Sequence, residues 1–323
     1  MRPPALLLSV AVLLSALLSA GGCNRDPAAA GRPVIAVVPK GTQHEFWKSV
    51  HAGAAAAAAA AGVEIQWNGP QLEGDRKSQI ELLQNFISKR VQGIVLAPVD
   101  QVAIASVVAE AKAAGVPTVV IDSALDGDAH VAYVATDNKE GGRVAAARMG
   151  ELLAGKGKVV MLRFQQGSAS TMAREAGFLE VLAARFPGVQ VISDEQYAGD
   201  LDKARAAADS LLVAHPDVDG VFCPNESTTH GFLLALQSCG RAGKVKFVGF
   251  DASPPLVLGL ERGQIHGLVL QDPVAIGRRG VETMVAHLRG EHYERVQTTP
   301  LLLATPENCT QPAVAALLHP ATR

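Results

Sequence analysis

Short, uninterrupted runs of apolar residues that favour β-structure alternate with helical patterns along most of the chain. Runs such as Gly93–Pro98 and Pro117–Asp122 are apolar at successive positions, where a half-exposed strand would alternate apolar and polar residues. This pattern is typical of strands that are buried on both faces in a parallel sheet covered by helices. The sequence therefore predicts an α/β fold with parallel sheets and right-handed connections.

Two segments in the two halves of the sequence resemble each other. Residues 91–98 read VQGIVLAP and residues 218–225 read VDGVFCPN, and in each a glycine opens an apolar run. The chain has 323 residues, which is longer than one hydrophobic core accommodates comfortably. We therefore predict two similar Rossmann-like lobes, each with five to six strands.

The first residues have the features of an export signal. Arg2 precedes an apolar run at residues 5–18, which is too short to span a membrane comfortably, and small residues then lead to Cys23. The sequence LSAGGC resembles a bacterial lipobox. It predicts a signal peptide over residues 1–22, acylation of Cys23 and a tether over residues 23–32. Ordinary cleavage that leaves Cys23 as a spare thiol is the alternative.

Charge and motif composition exclude several functions. Lys plus Arg number 29 and Asp plus Glu number 31, so no basic excess exists to bind nucleic acid. Residues 150–157 match GxxxxGK but lack the following Ser or Thr of a phosphate loop. No cysteine and histidine spacing indicates zinc, and we predict no metal, no cofactor and no catalytic site. Apart from Cys23 the cysteines are Cys223, Cys239 and Cys309, for which one disulfide and three free thiols both remain open.

Polar side chains follow several of the predicted strands. In open α/β sheets ligands bind beyond the carboxyl ends of the strands, and carboxylates and amides can hydrogen-bond the hydroxyls of a polyol. An aromatic pair in the first predicted helix lies near the same rim, and aromatic faces pack well on the C–H faces of sugars. The candidate ligand-binding residues at this rim are Lys40, His44, Phe46, Trp47, Asp122, Asn225, Asp251 and Gln271.

Each of these residues also has a plainer interpretation. Asp122 or Asn225 could cap the helix that follows it. Phe46 and Trp47 could belong to the core. We interpret Arg174 as an ordinary helix-surface or ion-pair residue. The convergence of many polar residues on one rim favours a shared binding site.

Several stretches together resemble a known family. They are 44–47 (HEFW), 97–100 (APVD), 120–122 (VID), 135–138 (ATDN), 215–217 (HPD), 225–226 (NE), 248–251 (VGFD) and 271–273 (QDP). Over about residues 33–290 the chain resembles the ribose/galactose-type periplasmic binding proteins of bacterial ABC transporters. The resemblance implies a type I periplasmic binding protein fold with three hinge crossings. Its lobes would comprise residues 33–137 plus 272–298 and residues 138–271 plus 299–323.

The resemblance also implies roles for individual residues. Phe46 and Trp47 match an aromatic pair that sandwiches a sugar ring, and the polar residues after the strands match ligands of its hydroxyls. Five departures predict that the ligand is not ribose. Ser123 replaces an arginine after Asp122, Met172 stands at a pocket arginine position, His44 and Ala97 each replace an asparagine, and Lys40 replaces a serine. We hypothesise that Lys40 donates to an acidic or keto group of the ligand.

The implied function is capture of a small sugar-like molecule and its delivery to an ABC permease. On this interpretation the protein is an exported, monomeric lipoprotein on the periplasmic face or cell surface, and it is not an enzyme. One alternative is a sensory receptor for a sugar or a furanose-type signalling molecule. The others are a transcription regulator of the same fold and an enzyme that acts on a sugar in the cleft.

Overall fold

Two six-stranded sheets form the framework of the computed structural model, which describes residues 32–320. The first sheet contains β1 (Val34–Val38), β2 (Glu64–Trp67), β3 (Gly93–Leu96), β4 (Thr118–Ile121), β5 (Ala132–Thr136) and β11 (Val296–Thr299). The second contains β6 (Lys156–Met161), β7 (Gly188–Ser193), β8 (Gly220–Phe222), β9 (Lys246–Phe250), β10 (Gly267–Gln271) and β12 (Leu301–Ala304). Their strand orders are β11-β5-β4-β3-β1-β2 and β12-β10-β9-β8-β6-β7. All pairings are parallel except that of β12 with β10.

Helices cover both sheets. Those on the first sheet are α1 (Glu45–Ala61), α2 (Arg76–Ser88), α3 (Ala105–Ala113) and α9 (Pro273–Arg289). Those on the second are α4 (Asn138–Leu152), α5 (Ala169–Arg185), α6 (Leu201–Ala214), α7 (Glu226–Ser238), α8 (Pro254–Glu261) and α10 (Pro312–Leu318). We call the first sheet with its helices the first half, and the second sheet with its helices the second half.

The chain passes between the halves three times. It leaves the first sheet after β5 at Asp137, returns after β10 at Asp272, and leaves again at Pro300 between β11 and β12. The α/β fold class predicted from the sequence, with two parallel-type sheets, is confirmed.

The central strands β1, β3 and β4 of the first sheet are buried on both faces. In β1, Ile35 and Val37 pack into one core cluster, whereas Ala36 and Val38 pack into another on the opposite face. Because both faces of the strand are covered, no position favours a polar residue. This double burial explains the continuous apolar runs in the sequence.

Helices α1 and α9 cross at unusually close range because both lack side chains at the contact. A Cβ on Gly53 would lie 2.0 Å from the carbonyl oxygen of Val274, and one on Gly277 would lie 1.9 Å from that of Val50. Only glycine fits at such a contact. The crossing fixes α1, whose first turn lies at the candidate site.

The sequence located ten of these strands and the nine helices that precede β11. It missed β11, a short and polar edge strand whose sequence VQTT has no apolar run. The chain then forms β12 and α10 in the second half, and Val314 and Leu318 of α10 complete its core. Within residues 32–320, Cys223, Cys239 and Cys309 are free thiols, so no disulfide forms among these three.

No helix within residues 32–320 combines the length and apolarity needed to cross a membrane. The predicted signal peptide, the lipidation at Cys23 and most of the tether lie outside the described residues.

Candidate functional site

A narrow cavity of about 20 Å³ lies between the halves where the carboxyl ends of both sheets meet. The first half contributes residues after β1 and β4, from the start of α1 and from the loop before α2. The second half contributes residues after β6, β8 and β9, the last residue of β10, and residues from α5 and the start of α7. The lining residues are Lys40, His44, Phe46, Trp47, Glu73, Asp122, Phe164, Ser170, Thr171, Arg174, Asn225, Glu226, Asp251 and Gln271.

Asp122 and Asp251 occupy equivalent places in the two halves. Each directly follows the third strand in the order of its sheet, β4 or β9. Both have left-handed backbone conformations, with φ of 62° and 68°. Such conformations are uncommon outside glycine, although Asp tolerates them better than most residues, and they concentrate at functional sites. The sharp turn brings each carboxylate to the cavity wall.

Lys40 connects the two halves. Its Nζ lies 2.8 Å from Asp122 Oδ2 in the first half. It also donates to Ser170 Oγ at 2.9 Å and lies 3.4 Å from Ser168 Oγ, both in the second half. An ammonium group has three donors, and these three contacts engage all of them. The backbone N–H of Ser170 completes the connection by donating to Ser123 Oγ at 3.0 Å.

Glu73 is the centre of a second polar cluster. Its carboxylate lies 3.3 Å from His44 Nδ1, accepts from Trp47 Nε1 and lies 3.4 Å from Asn225 Nδ2 across the cleft. Burial alone would lower the pKa of His44, but the Glu73 carboxylate outweighs burial and raises that pKa to about 9. Burial would raise the pKa of Glu73, yet His44 and Lys40 hold it at about 2. The pair is therefore ionised at neutral pH.

Two further carboxylates belong to the second half. Asp251 accepts from Gln271 Nε2 at 2.6 Å and from the backbone N–H of Glu226 at 3.0 Å. Burial raises its pKa, and nearby Arg174 opposes that shift. Burial also raises the pKa of Glu226 to about 7, which His44 partly offsets.

Arg174 lies inside the cavity wall and is only 2% exposed. Its Nε donates to Asn138 Oδ1 and its Nη1 to the Pro224 carbonyl, both at 2.8 Å, and its guanidinium lies over the Phe250 ring. Within residues 32–320 its Nη2 has no hydrogen-bond partner, and neither has Gln271 Oε1. A buried polar atom without a partner is costly. The cavity thus presents one donor and one acceptor that a bound molecule can satisfy.

Aromatic rings line the cavity from both halves. Phe46 and Trp47 come from the first turn of α1, with ring centroids 4.9 Å apart in an edge-on arrangement, and Phe164 comes from the second half. Phe46 and Trp47 also belong to the core of the first half. The two rings therefore lie both in the core of the first half and at the cavity wall.

Comparison with known proteins decides the family. The sequence pattern of the periplasmic binding protein domain matches residues 35–292. The chain belongs to this family of periplasmic binding proteins. Membership implies an exported, periplasmic protein and accounts for the paired α/β halves with a cavity between them.

Several relatives of this chain are sugar-binding proteins. The D-ribose/D-allose-binding protein of Pseudomonas aeruginosa is 29% identical over 286 residues, which cover 85% of this chain and 89% of that protein. The structure of a carbohydrate transporter solute-binding protein from Agrobacterium radiobacter with D-arabinose has a TM-score of 0.87 and 32% identity, covering 90% of this chain and 100% of that one. An ABC transporter solute-binding protein from Agrobacterium vitis, bound to α-D-tagatopyranose, has a TM-score of 0.85, 31% identity and coverage of 88% and 99%.

The structure brings eight of the nine predicted ligand-binding residues to the cavity, and Met172 is the exception. Met172 is 39% exposed and does not line it. Two residues along an α-helix correspond to a rotation of about 200°, so Met172 and Arg174 lie on opposite sides of α5. The interpretation of Arg174 as a surface or ion-pair residue was wrong, because its side chain is buried and lines the cavity. Asn225 lines the cavity and also caps α7 by accepting from the N–H of Thr228.

Five lining residues besides Arg174 were not predicted from the sequence: Glu73, Phe164, Ser170, Thr171 and Glu226. Phe164 follows β6, so the strand-end argument used for Asp122 would have found it. Ser170 lies one turn before Arg174 on α5, a spacing that places both on one helix face. Glu226 directly follows Asn225. Glu73 had no signal, because it lies in an irregular loop six residues after the end of β2, away from the strand end itself.

The described residues contain no group of three or more metal-ligating side chains placed to hold an ion. The polar groups of the cavity contact each other and the backbone instead.

Proposed function

We propose that this protein captures a sugar or sugar-like molecule in the cavity between its halves and delivers it to an ABC permease. The observation that carries the proposal is a pair of buried atoms, Arg174 Nη2 and Gln271 Oε1, that find no partner among the described residues and share one cavity with aromatic rings from both halves. A hydroxyl group both donates and accepts hydrogen bonds, so a polyol suits this combination. The sugars bound by related proteins support the same class of ligand.

The proposal assigns roles to the lining residues. Phe46, Trp47 and Phe164 pack against the apolar faces of the sugar ring. Asp122, Asn225, Asp251 and Gln271 accept from or donate to its hydroxyls, and Arg174 donates to a ring or hydroxyl oxygen. His44 and Lys40 hold neighbouring carboxylates in place. For Lys40 to donate to the ligand as well, one of its three protein contacts must be exchanged for the ligand.

Capture and release require the halves to separate. We propose that the lobes comprise residues 33–137 plus 272–298 and residues 138–271 plus 299–323, and that the three crossings act as hinges. The ligand favours the closed arrangement by making contacts with both lobes that it cannot make with one. The sugar leaves chemically unchanged, because capture and release require only binding and the movement of the lobes.

A thermal-shift screen tests the ligand class. A tight ligand raises stability by mass action, by about 2.7 kcal/mol at a concentration a hundred times its Kd. The screen includes D-ribose, D-allose, D-arabinose, D-tagatose, deoxy-sugars, polyols and sugar acids. At least one should raise the melting temperature of the wild-type chain by several degrees, and NMR should recover that sugar unaltered. No shift with any of them would contradict the proposal.

We further propose that Cys23 is acylated and tethers the protein to the membrane through residues 23–32. Lipid chains bind membranes in proportion to the methylene groups that they bury. Fractionation of cells that produce the full-length chain tests this step. The wild-type protein should sediment with membranes, and the Cys23→Ala variant should appear in the soluble fraction. Equal distribution of the two would contradict lipidation.

A further inference from the structure

The first turn of α1 lacks a cap from its own part of the chain. His44 occupies the N-cap position and its side chain makes no capping hydrogen bond. The first N–H groups of a helix have no partner within the helix and need one from elsewhere. An acidic group also interacts favourably with the positive end of the helix dipole.

Glu226 of the second half supplies the missing cap. Its Oε2 accepts from the backbone N–H of Phe46 at 3.0 Å, and its Oε1 accepts from that of Glu45 at 3.4 Å. Glu226 is 7% exposed and is the first residue of α7. Its own helix does not need this carboxylate, because Asn225 caps α7.

The contact therefore links the aromatic turn of α1 to the opposite half. Phe46 and Trp47 lie in the turn whose N–H groups Glu226 holds, and both rings line the cavity. Because Glu226 and α1 belong to different halves, the two hydrogen bonds exist only when the halves are together. The contact is thus available to the closed state and is lost when the cleft opens.

We propose that Glu226 is a positioning residue that caps α1 across the cleft and so couples closure to the placement of the Phe46–Trp47 wall. This inference rests on the proposed function. Glu226 acts on affinity through α1 and through the stability of the closed state, and its two acceptor oxygens are the groups that matter.

Hydrogen exchange followed by NMR tests the cap directly. The probe is the tightest-binding sugar among D-ribose, D-allose, D-arabinose and D-tagatose. Saturation with that sugar should slow exchange of the Glu45 and Phe46 amides at least tenfold in the wild-type chain. In Glu226→Ala the same amides should show no sugar-dependent slowing at saturation, while amides of the β1 strand stay protected.

Affinity gives the second readout. Glu226→Ala should weaken binding about 10- to 100-fold, mainly through faster dissociation. Glu226→Gln keeps one acceptor and should recover part of the loss, and Glu110→Ala, which removes an exposed glutamate from α3, should bind as the wild type does. The melting temperature of the ligand-free Glu226→Ala chain should stay close to that of wild type. Should that variant not fold, Glu226→Gln alone carries the test, with the exchange of both amides intermediate.

The outcomes separate the two proposals. A wild-type chain that binds none of the four sugars or the wider panel contradicts the proposed function. A wild-type chain that binds, with Glu226→Ala equal to it in affinity and in protection of the Glu45 and Phe46 amides, overturns the inference alone. A marked fall in the melting temperature of ligand-free Glu226→Ala that accompanies the loss of affinity would also overturn it, because the role of Glu226 would then be structural.

Discussion

Lys40 Nζ lies 2.8 Å from Asp122 Oδ2, and both side chains are about 4% exposed. Charges buried to this degree must be paired, because removal of one partner leaves the other uncompensated. The pair also sits at the cleft, since Lys40 continues to Ser170 in the opposite half. Stability and closure therefore depend on the same ammonium group.

Replacement of Lys40 by methionine should destabilise the protein strongly. Asp122 would stay buried without its cation, which typically costs about 3–5 kcal/mol. Chemical denaturation measures the free energy of unfolding. The double variant Lys40→Met/Asp122→Asn should recover most of the loss, because no unpaired charge remains. A single variant as stable as wild type would show that Asp122 has another partner.

Because of the polar cluster around Glu73, the free energy of unfolding should decrease as the pH rises above neutral. The pKa of His44 is about 9 in the folded protein against an ordinary value of 6.5. Because the folded value is higher, this contribution to stability is fully present below about pH 6.5 and is lost as the pH rises through 9, at up to about 1.4 kcal/mol per pH unit. The free energy of unfolding should fall between pH 7.5 and 9.5.

The same measurement on His44→Gln isolates the effect. This variant should lose most of the slope over that pH range, whereas His292→Gln, which changes an exposed histidine, should keep it. Equal slopes in wild type and His44→Gln would contradict the charged His44–Glu73 pair.

Gly53 should not tolerate a side chain. A Cβ there would lie 2.0 Å from the Val274 carbonyl oxygen, so Gly53→Ala must separate α1 from α9. Overpacking of this kind costs roughly 1–3 kcal/mol or more. The control Ala56→Ser changes an exposed position of the same helix and should stay within about 0.5 kcal/mol of wild type. Thermal unfolding distinguishes them, and an unchanged midpoint for Gly53→Ala would contradict the close crossing.

Gln271 should contribute to affinity through the oxygen that has no protein partner. Gln271→Met preserves much of the side-chain volume but removes the acceptor and the donor to Asp251. The expected loss of affinity is about 1.5–3 kcal/mol, or roughly 10- to 150-fold. The exposed substitution Gln237→Met is the matched control. Titration calorimetry should detect the difference, and identical affinities would remove Gln271 from the site.

Much of the fold could be read from the sequence because burial on both strand faces leaves a clear signal. The apolar run of β1 and the residues that follow β4 and β9 identified the strands and the rim on which Asp122 and Asp251 lie. The polar edge strand β11 has no such pattern, since its neighbour β5 supplies the pairing and one side is open. Its place depends on the chain returning to the first half, which is a tertiary property.

The site was less predictable wherever position depends on helix rotation or on the opposite half. The sequence placed Met172 rather than Arg174 in the pocket, because a shift of two residues along α5 reverses the face. Glu73 and Glu226 belong to the site only because they contact distant elements. Glu73 contacts Asn225, and Glu226 contacts the start of α1. No local pattern encodes a contact across a cleft.

Titration calorimetry of the wild-type chain and Arg174→Met with the best sugar from the screen tests the central claim most directly. One sugar should bind per wild-type chain, and Arg174→Met should weaken binding by at least a hundredfold while Arg278→Met, an exposed arginine on α9, binds normally. Binding that is unaffected by the loss of Arg174, or two sugars per chain, would contradict a single ligand held between the halves.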